Sequence, residues 1–293
     1  MKRKGIILAG GAGTRLHPLT LVVSKQLLPV YDKPMIYYPL TALMLAGIRD
    51  VLIVTTPGDA PHFRNLLGDG ARWGIRIDYA VQPRPEGIAQ ALVIAEPYLA
   101  GAACCLMLGD NIIYGNGLSA MLRAAGDAGE GATIFACQVD DPARYGVVNL
   151  DRSGNPLSIE EKPGVPQSTW AVIGVYFYDA GAADRARGLR PSARGEYEIT
   201  DLNNSYLADA ALRVTRLGRG FAWFDAGTHV SLLEAGEFIS VVQRRQRHLV
   251  GSPEEVAHAS GWITTEELDR QADALGNTEY ASMLKAITRD AVR

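Results

Sequence analysis

Three stretches of the chain carry residue types and spacings suited to phosphate and metal chemistry. The first follows a short apolar run and reads Leu8-Ala9-Gly10-Gly11-Ala12-Gly13-Thr14-Arg15-Leu16. Its glycines let backbone N–H groups approach an anion closely, and Thr14 and Arg15 add side-chain donors. The dinucleotide-binding pattern of spaced glycines fits Gly11 and Gly13 but needs a glycine where Leu16 stands. The acidic residue expected after the second strand is missing too, since that strand ends Thr55-Thr56-Pro57-Gly58, and no P-loop occurs. A tight turn without a ligand therefore stays open beside an anion cradle.

The second stretch is Leu108-Gly109-Asp110-Asn111, directly after an apolar run. A lone carboxylate there is costly unless it holds a cation, caps a helix or closes a turn. Asp225, in Trp223-Phe224-Asp225-Ala226-Gly227-Thr228, is flanked by apolar residues in the same way and is as readily a helix N-cap. The third stretch, Glu160-Glu161-Lys162-Pro163, suits either an anion grip or a solvated charge run at a strand end. The histidines (His17, His62, His229, His248 and His258) are scattered and complete no nucleophilic grouping.

The elements that must position these residues alternate through the first half. Apolar runs at 5–8, 51–55, 75–80, 103–108 and 133–138 read as buried strands, with helical spacing at 35–46, 59–67, 88–98 and 118–125. The pattern predicts an α/β fold: a Rossmann-like, mainly parallel sheet flanked by helices, with ligands beyond the carboxyl ends of its strands. After about 140 the chain turns β-rich, with strands expected at 145–150, 157–160 and 170–178 and a turn cluster at 151–156. A helix at 198–210, a strand at 213–217 and a long helix at 229–248 follow, then two or three helices over 254–290. One α/β core is thus expected, with a β-rich substrate region folded onto it and a helical C-terminal tail.

Composition narrows the function. The 293 residues are 47% hydrophobic and 21% charged, enough for a core and unlike a disordered chain. A net charge of −3 argues against a nucleic-acid binder that relies on a basic face. Basic positions hold 23 arginines and only 6 lysines, yet Lys25, Lys33 and Lys162 all fall in segments marked out by other features. The three cysteines, Cys104, Cys105 and Cys137, have no metal-ligand spacing, and the first two sit in a buried run. Met1-Lys2-Arg3-Lys4 imitates the start of a signal peptide, but glycines interrupt the following apolar segment too soon. No apolar run is long enough for a membrane span, so a soluble, cytoplasmic protein is expected.

Taken in order, several motifs carry a resemblance. The glycine turn continues through Pro18 and Thr20 to Ser24-Lys25-Gln26-Leu27-Leu28-Pro29-Val30-Tyr31-Asp32-Lys33-Pro34. Gln82-Pro83-Arg84-Pro85-Glu86-Gly87-Ile88-Ala89-Gln90-Ala91, Leu108-Gly109-Asp110-Asn111, Tyr145-Gly146-Val147-Val148, Ile159 to Pro163, Gly195 to Asp201 and Trp223 to Thr228 follow. This set resembles the sugar-nucleotide pyrophosphorylases and, within them, the glucose-1-phosphate thymidylyltransferases. Glu86 and Ile88 depart from the Asp and Leu usual there, and Arg84 is a bulky variant beside them.

The resemblance implies a single nucleotidyltransferase domain over 1–293, with a nucleotide-binding part to about 140, a sugar-binding part over 141–228 and a helical tail over 229–293. It implies a nucleotidyl transfer in which glucose 1-phosphate attacks the α-phosphorus of dTTP and pyrophosphate leaves. Phosphate monoesters have a second pKa near 6, so the nucleophile is already ionised and needs no general base. Charge compensation and alignment are what remain. By the same resemblance, Arg15, Lys25 and Lys162 are catalytic. Leu8, Gly10, Gly11, Gly13 and Thr14 join Gln82 and Gly87 on the nucleotide. Asn111, Gly146, Glu161, Lys162 and Val172 hold the sugar phosphate, and Asp110 and Asp225 hold Mg²⁺. The two substrates bring about −6 of charge, three cationic side chains offset half, and the two acids restore most of it, so a divalent cation is required by charge as well.

Gln82 offers a donor and an acceptor to the thymine or uracil edge, but a flipped amide would match cytosine equally. The preference for dTTP rests on the resemblance, as do a homotetramer, allosteric feedback by a deoxysugar nucleotide and a place at the entry to dTDP-rhamnose biosynthesis. Apolar tail positions Leu232, Leu233, Phe238, Val241 and Val242 suit an interface or a core alike. UTP or another sugar 1-phosphate, a dinucleotide oxidoreductase and a non-catalytic sensor are the competing readings. Lys33 reads as structural.

Overall fold

In the computed structural model, which describes residues 3–11 and 13–290, the apolar runs form a sheet covered on both faces. The first half runs β1 (Lys4–Ala9), β2 (Pro29–Val30), β3 (Lys33–Pro34), α1 (Tyr37–Leu45), β4 (Asp50–Thr55), α2 (Ala60–Leu67) and β5 (Arg76–Val81). It continues with α3 (Gln90–Leu99), β6 (Cys104–Leu108), β7 (Asn111–Gly115), α4 (Leu118–Gly126) and β8 (Ala132–Gln138). The second half holds β9 (Gly146–Leu150), β10 (Pro156–Glu161), β11 (Trp170–Tyr178), α5 (Ala182–Arg187), α6 (Ile199–Ala208), β12 (Leu212–Leu217) and β13 (Phe221–Asp225). Four helices close the chain: α7 (His229–Gln246), α8 (Pro253–Ala259), α9 (Thr265–Ala274) and α10 (Glu279–Asp290).

β5, β4, β1 and β6 lie side by side and parallel, with Ile7 opposite Ile53 on one neighbour and Met107 on the other. Successive strand residues point to opposite faces, so Ile7 packs under α1, α2, α4 and the tail while Ile6 packs under α3, α5 and α6. Each such fully buried side chain contributes about 1.5–3 kcal/mol, which is why the strands read as unbroken apolar runs.

The β-rich stretch after 140 is not a layer folded onto this core. β11 is buried along nearly its whole length and pairs antiparallel with β6, β8 and β9, so the same sheet continues. β10 extends it through β9, and β12 lies parallel to β8. A second, unforeseen element is the small sheet of β7 and β13, which pairs Asp225 with Asn111.

The tail has the expected helices; residues 291–293 lie outside those described. Thr228 caps α7 by accepting from the Ser231 N–H at 3.2 Å, and Thr264 caps α9 in a reciprocal box with Glu267. Along α7, Val242 is buried, Leu232 and Phe238 are half-buried, and Leu233 and Val241 are exposed. The tail docks through the buried carboxylate of Glu254, which accepts from Trp73 Nε1 (3.0 Å), Tyr280 OH (2.6 Å) and Ser252 Oγ (3.1 Å). Truncation would take the acceptor from Trp73 Nε1 and Ser252 Oγ, while Tyr280 OH keeps Ser252 Oγ at 2.8 Å, so Glu254→Ala is expected to cost about 3 kcal/mol, measured by denaturant unfolding. No described helix is long and apolar enough to cross a membrane.

Candidate active site

The chemistry-bearing residues collect at the carboxyl ends of the central strands. β1 delivers Leu8 and Gly10, and β6 delivers Asp110 and Asn111, into one cavity of 520 Å³. Arg15 reaches it from a short 3-10 turn at Thr14–Leu16. Opposite them stand Gly146 of β9, Glu161 and Lys162 from the end of β10, Val172 of β11 and Asp225 of β13. A neighbouring cavity of 440 Å³ is lined by Gly11, Lys25 and Gln82. The glycine turn and the Lys25–Asp110 contact join the two. Gly13 (φ +58°) and the exposed Thr14 line neither cavity, the Gly13 carbonyl accepting at 2.7 Å from Thr20 Oγ1, itself a lining residue of the second. Ala12 of the same turn lies outside the described residues.

The carboxylates and Lys25 form the charged centre. Lys25 is buried, with Nζ 2.5 Å from Asp110 Oδ2 and 3.9 Å from Asp225 Oδ1. Burial pushes the Asp110 carboxyl up, but the Lys25 ammonium and hydrogen bonds from Lys25 and Asn111 outweigh it and hold the group below the ordinary carboxylate range. Asp225 goes the other way, raised by burial and by the Asp110 charge against Lys25, Arg15 and Arg144. Asp225 is therefore no N-cap; Thr228 takes that role, and the antiparallel pairing with β7 sets Asp225 facing Asp110. Two carboxylates that repel each other, held in an open cleft, form an incomplete hard-oxygen donor set suited to a small divalent cation that also takes phosphate oxygens. Among the described residues no cluster of three or more acidic, His or Cys ligands would form a closed cage.

Asn111 is largely committed within the protein. Its Oδ1 accepts from Gly174 N (2.9 Å) and Trp223 Nε1 (2.7 Å), and its Nδ2 donates to Asp110 Oδ1 (2.9 Å). Glu161 is oriented by Thr200, whose hydroxyl donates to Oε2 at 2.6 Å, and is flanked by Lys162 at 3.6 Å and Arg194 at 3.4 Å. A Cβ at Gly146 would meet both Thr200 Oγ1 and Glu161 Oε2 at about 3 Å, so a glycine there keeps the floor open. Gly87 (φ +109°) allows Tyr197 N to reach Glu86 O at 2.7 Å, where a Cβ would collide with the Tyr197 backbone.

Several cavity residues escaped sequence reasoning: Gln26, Arg144, Tyr145, Tyr176, Thr200 and Trp223. Gln26, Tyr145, Thr200 and Trp223 lie inside the motifs that carry the resemblance, so their signal was present without a role attached. Lys33, by contrast, is sealed between Asp32 and Gln243 beneath Tyr38 and Tyr280, and burial lowers its pKa. It lies in the structural hub of the tail. Cys104 and Cys105 are buried, the first pushed up to about 12 by burial, as expected of inert thiols.

A parallel sheet ending in a glycine turn, with paired carboxylates and lysines beyond its strands, defines a class of enzyme that handles nucleotides by phosphate chemistry. The nucleotidyl transferase family model matches residues 4–241. A glucose-1-phosphate thymidylyltransferase of Xanthomonas campestris pv. campestris is 55% identical over 288 residues, covering 98% of both chains. One from Mycobacterium tuberculosis is 54% identical over 96% of this chain and 97% of its own. A crystal structure of a Bacillus anthracis thymidylyltransferase with sucrose superposes with a TM-score of 0.74 at 41% identity, covering 80% of this chain and 94% of that one. A UDP-glucose pyrophosphorylase structure, at 22% identity and a TM-score of 0.71, shares the fold over 82% of this chain and 99% of that one. The chain belongs to the nucleotidyl transferase family, among the glucose-1-phosphate thymidylyltransferases.

Proposed function

We propose that the protein is a single nucleotidyltransferase domain that joins glucose 1-phosphate to dTTP, giving dTDP-glucose and pyrophosphate, the first step of dTDP-rhamnose or related deoxysugar synthesis. A terminal oxygen of the sugar phosphate attacks the α-phosphorus, and the bond from that phosphorus to the bridging oxygen of pyrophosphate breaks. The observation that carries this reading is the Lys25–Asp110–Asp225 cluster at the junction of two cavities, between a glycine turn and the sugar-side residues.

In this reading Arg15 and Lys25 hold the triphosphate and Lys162 grips the sugar phosphate, while Glu161 accepts from sugar hydroxyls. Gly10, Gly11 and their neighbours meet the phosphates with backbone N–H groups, and Gln82 faces the base. Asp110 and Asp225 hold Mg²⁺, which neutralises phosphate charge when bound. His17, His62 and the remaining histidines do no proton transfer, because an ionised phosphate needs none. The arrangement aligns substrates and compensates charge. The homotetramer, feedback inhibition and cytoplasmic location belong to the same reading.

A pyrophosphate-release assay across dTTP, UTP, dCTP, ATP and GTP, with several sugar 1-phosphates, tests it. The highest kcat/KM is expected for dTTP with glucose 1-phosphate. Faster turnover of UTP or of another sugar 1-phosphate would replace the substrate assignment while keeping the chemistry.

A further inference from the structure

The Gln82 amide belongs to a hydrogen-bonded relay whose direction is fixed at its far end. Gln82 Nε2 donates to Gln90 Oε1 at 2.6 Å, and Gln90 Nε2 donates to Glu86 Oε2 at 2.7 Å. The other Glu86 oxygen pairs with Arg84 Nη2 at 2.9 Å. An ionised carboxylate can only accept. Gln90 must therefore turn its NH₂ to Glu86 and its oxygen to Gln82, and Gln82 must answer with its own NH₂. Reversing either amide would set acceptor against acceptor or donor against donor. Gln82 Nε2 also donates to Gly87 O at 3.3 Å, so both of its hydrogens are used. What remains is Oε1 of a side chain only 5% exposed, poised over Gly10, where a Cβ would lie 2.7 Å from it. No described residue donates to that oxygen.

We infer that Glu86 and Gln90 are positioning residues that fix Gln82 as an acceptor toward the nucleobase, so that the site takes bases bearing N3–H and rejects cytosine. The inference rests on the proposed nucleotidyl transfer, with Gln82 opposite N3 of the base. Thymine and uracil present a hydrogen there; cytosine presents a lone pair, which would face the Gln82 oxygen with nothing to share. Sites that leave a buried polar atom unpaired discriminate far more strongly than sites that differ only in apolar contact. The relay thus removes the ambiguity a lone glutamine leaves.

The test compares kcat/KM for dTTP and dCTP, with Mg²⁺ and glucose 1-phosphate, in the wild type and in Glu86→Gln, Gln90→Leu and Glu86→Asp. Glutamine at 86 can donate as well as accept, so the relay can reverse, and leucine at 90 cuts it; either change leaves only the long 3.3 Å contact to Gly87 O to orient Gln82. In both variants the dCTP-to-dTTP ratio is expected to rise by about tenfold or more. Glu86→Asp keeps an acceptor-only carboxylate and should keep the wild-type ratio. Where a variant turns over too slowly, calorimetric affinities for dTDP and dCDP read the same ratio without catalysis. A ratio unmoved in both Glu86→Gln and Gln90→Leu overturns the relay, as does an equal rise in Glu86→Asp. A wild-type enzyme that releases no pyrophosphate from any nucleotide overturns the proposed function instead.

Discussion

An Asp110→Asn enzyme is expected to lose about a thousandfold in turnover while keeping its fold. The substitution preserves shape, and its single amide oxygen can accept from Asn111 Nδ2 or from Lys25 Nζ, but not from both. It removes the charge that holds the buried Lys25 ammonium at 2.5 Å and one of two carboxylates facing the phosphates. Lys25 retains Asp225 at 3.9 Å, and the repulsion that raises Asp225 disappears, so the net change in unfolding free energy stays within about 2 kcal/mol. Weakened Mn²⁺ binding, followed by titration calorimetry, should accompany the lost turnover. Normal turnover with normal metal dependence would remove Asp110 from the site.

The pH behaviour of the metal-free protein separates the two carboxylates. Asp110 is lowered in the fold, so its stabilising contribution is complete above the ordinary carboxylate range and is lost as pH falls through its lowered value. Asp225 is raised, so its ionisation costs stability as pH rises through its folded value. Asp225→Asn is accordingly expected to stabilise the metal-free protein at neutral pH even as it abolishes turnover. Denaturant melts with and without a chelator would show it; a destabilised metal-free variant contradicts the sign.

Lys162→Arg is expected to cost about a hundredfold in kcat with little change in stability. Lys162 sits just past β10 in a left-handed conformation (φ +45°), its N–H held by Tyr145 O at 3.0 Å and its ammonium half-exposed beside Glu161. Arginine accepts the same backbone and exposure, so folding is undisturbed. The guanidinium is wider and forked, however, and cannot place one compact charge against a reacting phosphate oxygen. The scarcity of lysine in this chain makes the point sharper, because arginine fills most other basic positions. Undiminished kcat would make that scarcity a compositional accident.

The buried strands were legible in the sequence because the apolar runs at 5–8, 51–55 and 103–108 have strand length, are too short for buried helices and alternate with helical patterns. The placement of Leu8, Gly10 and Asp110 at strand ends followed from the same rule. Less visible was the pairing of β7 with β13, since short strands with aromatic residues resemble loops until a distant partner is known. That pairing sets Asp225 beside the Lys25–Asp110 pair and away from the helix cap, which the residues alone left equally open. Thr200 and Gln90 lie inside motifs of the resemblance, but their roles were not legible there: each acts through another side chain, and hydrogen-bond direction is a property of three-dimensional neighbours. Lys33 shared its motif with Lys25 yet faces the tail core.

In the proposed reaction a terminal oxygen of the sugar phosphate attacks the α-phosphorus of the nucleotide. Mass spectrometry of products made from glucose 1-phosphate labelled with oxygen-18 at its terminal phosphoryl oxygens tests this directly. dTDP-glucose is expected to carry the whole label and pyrophosphate none. Label recovered in the pyrophosphate, or missing from the nucleotide sugar, would contradict it.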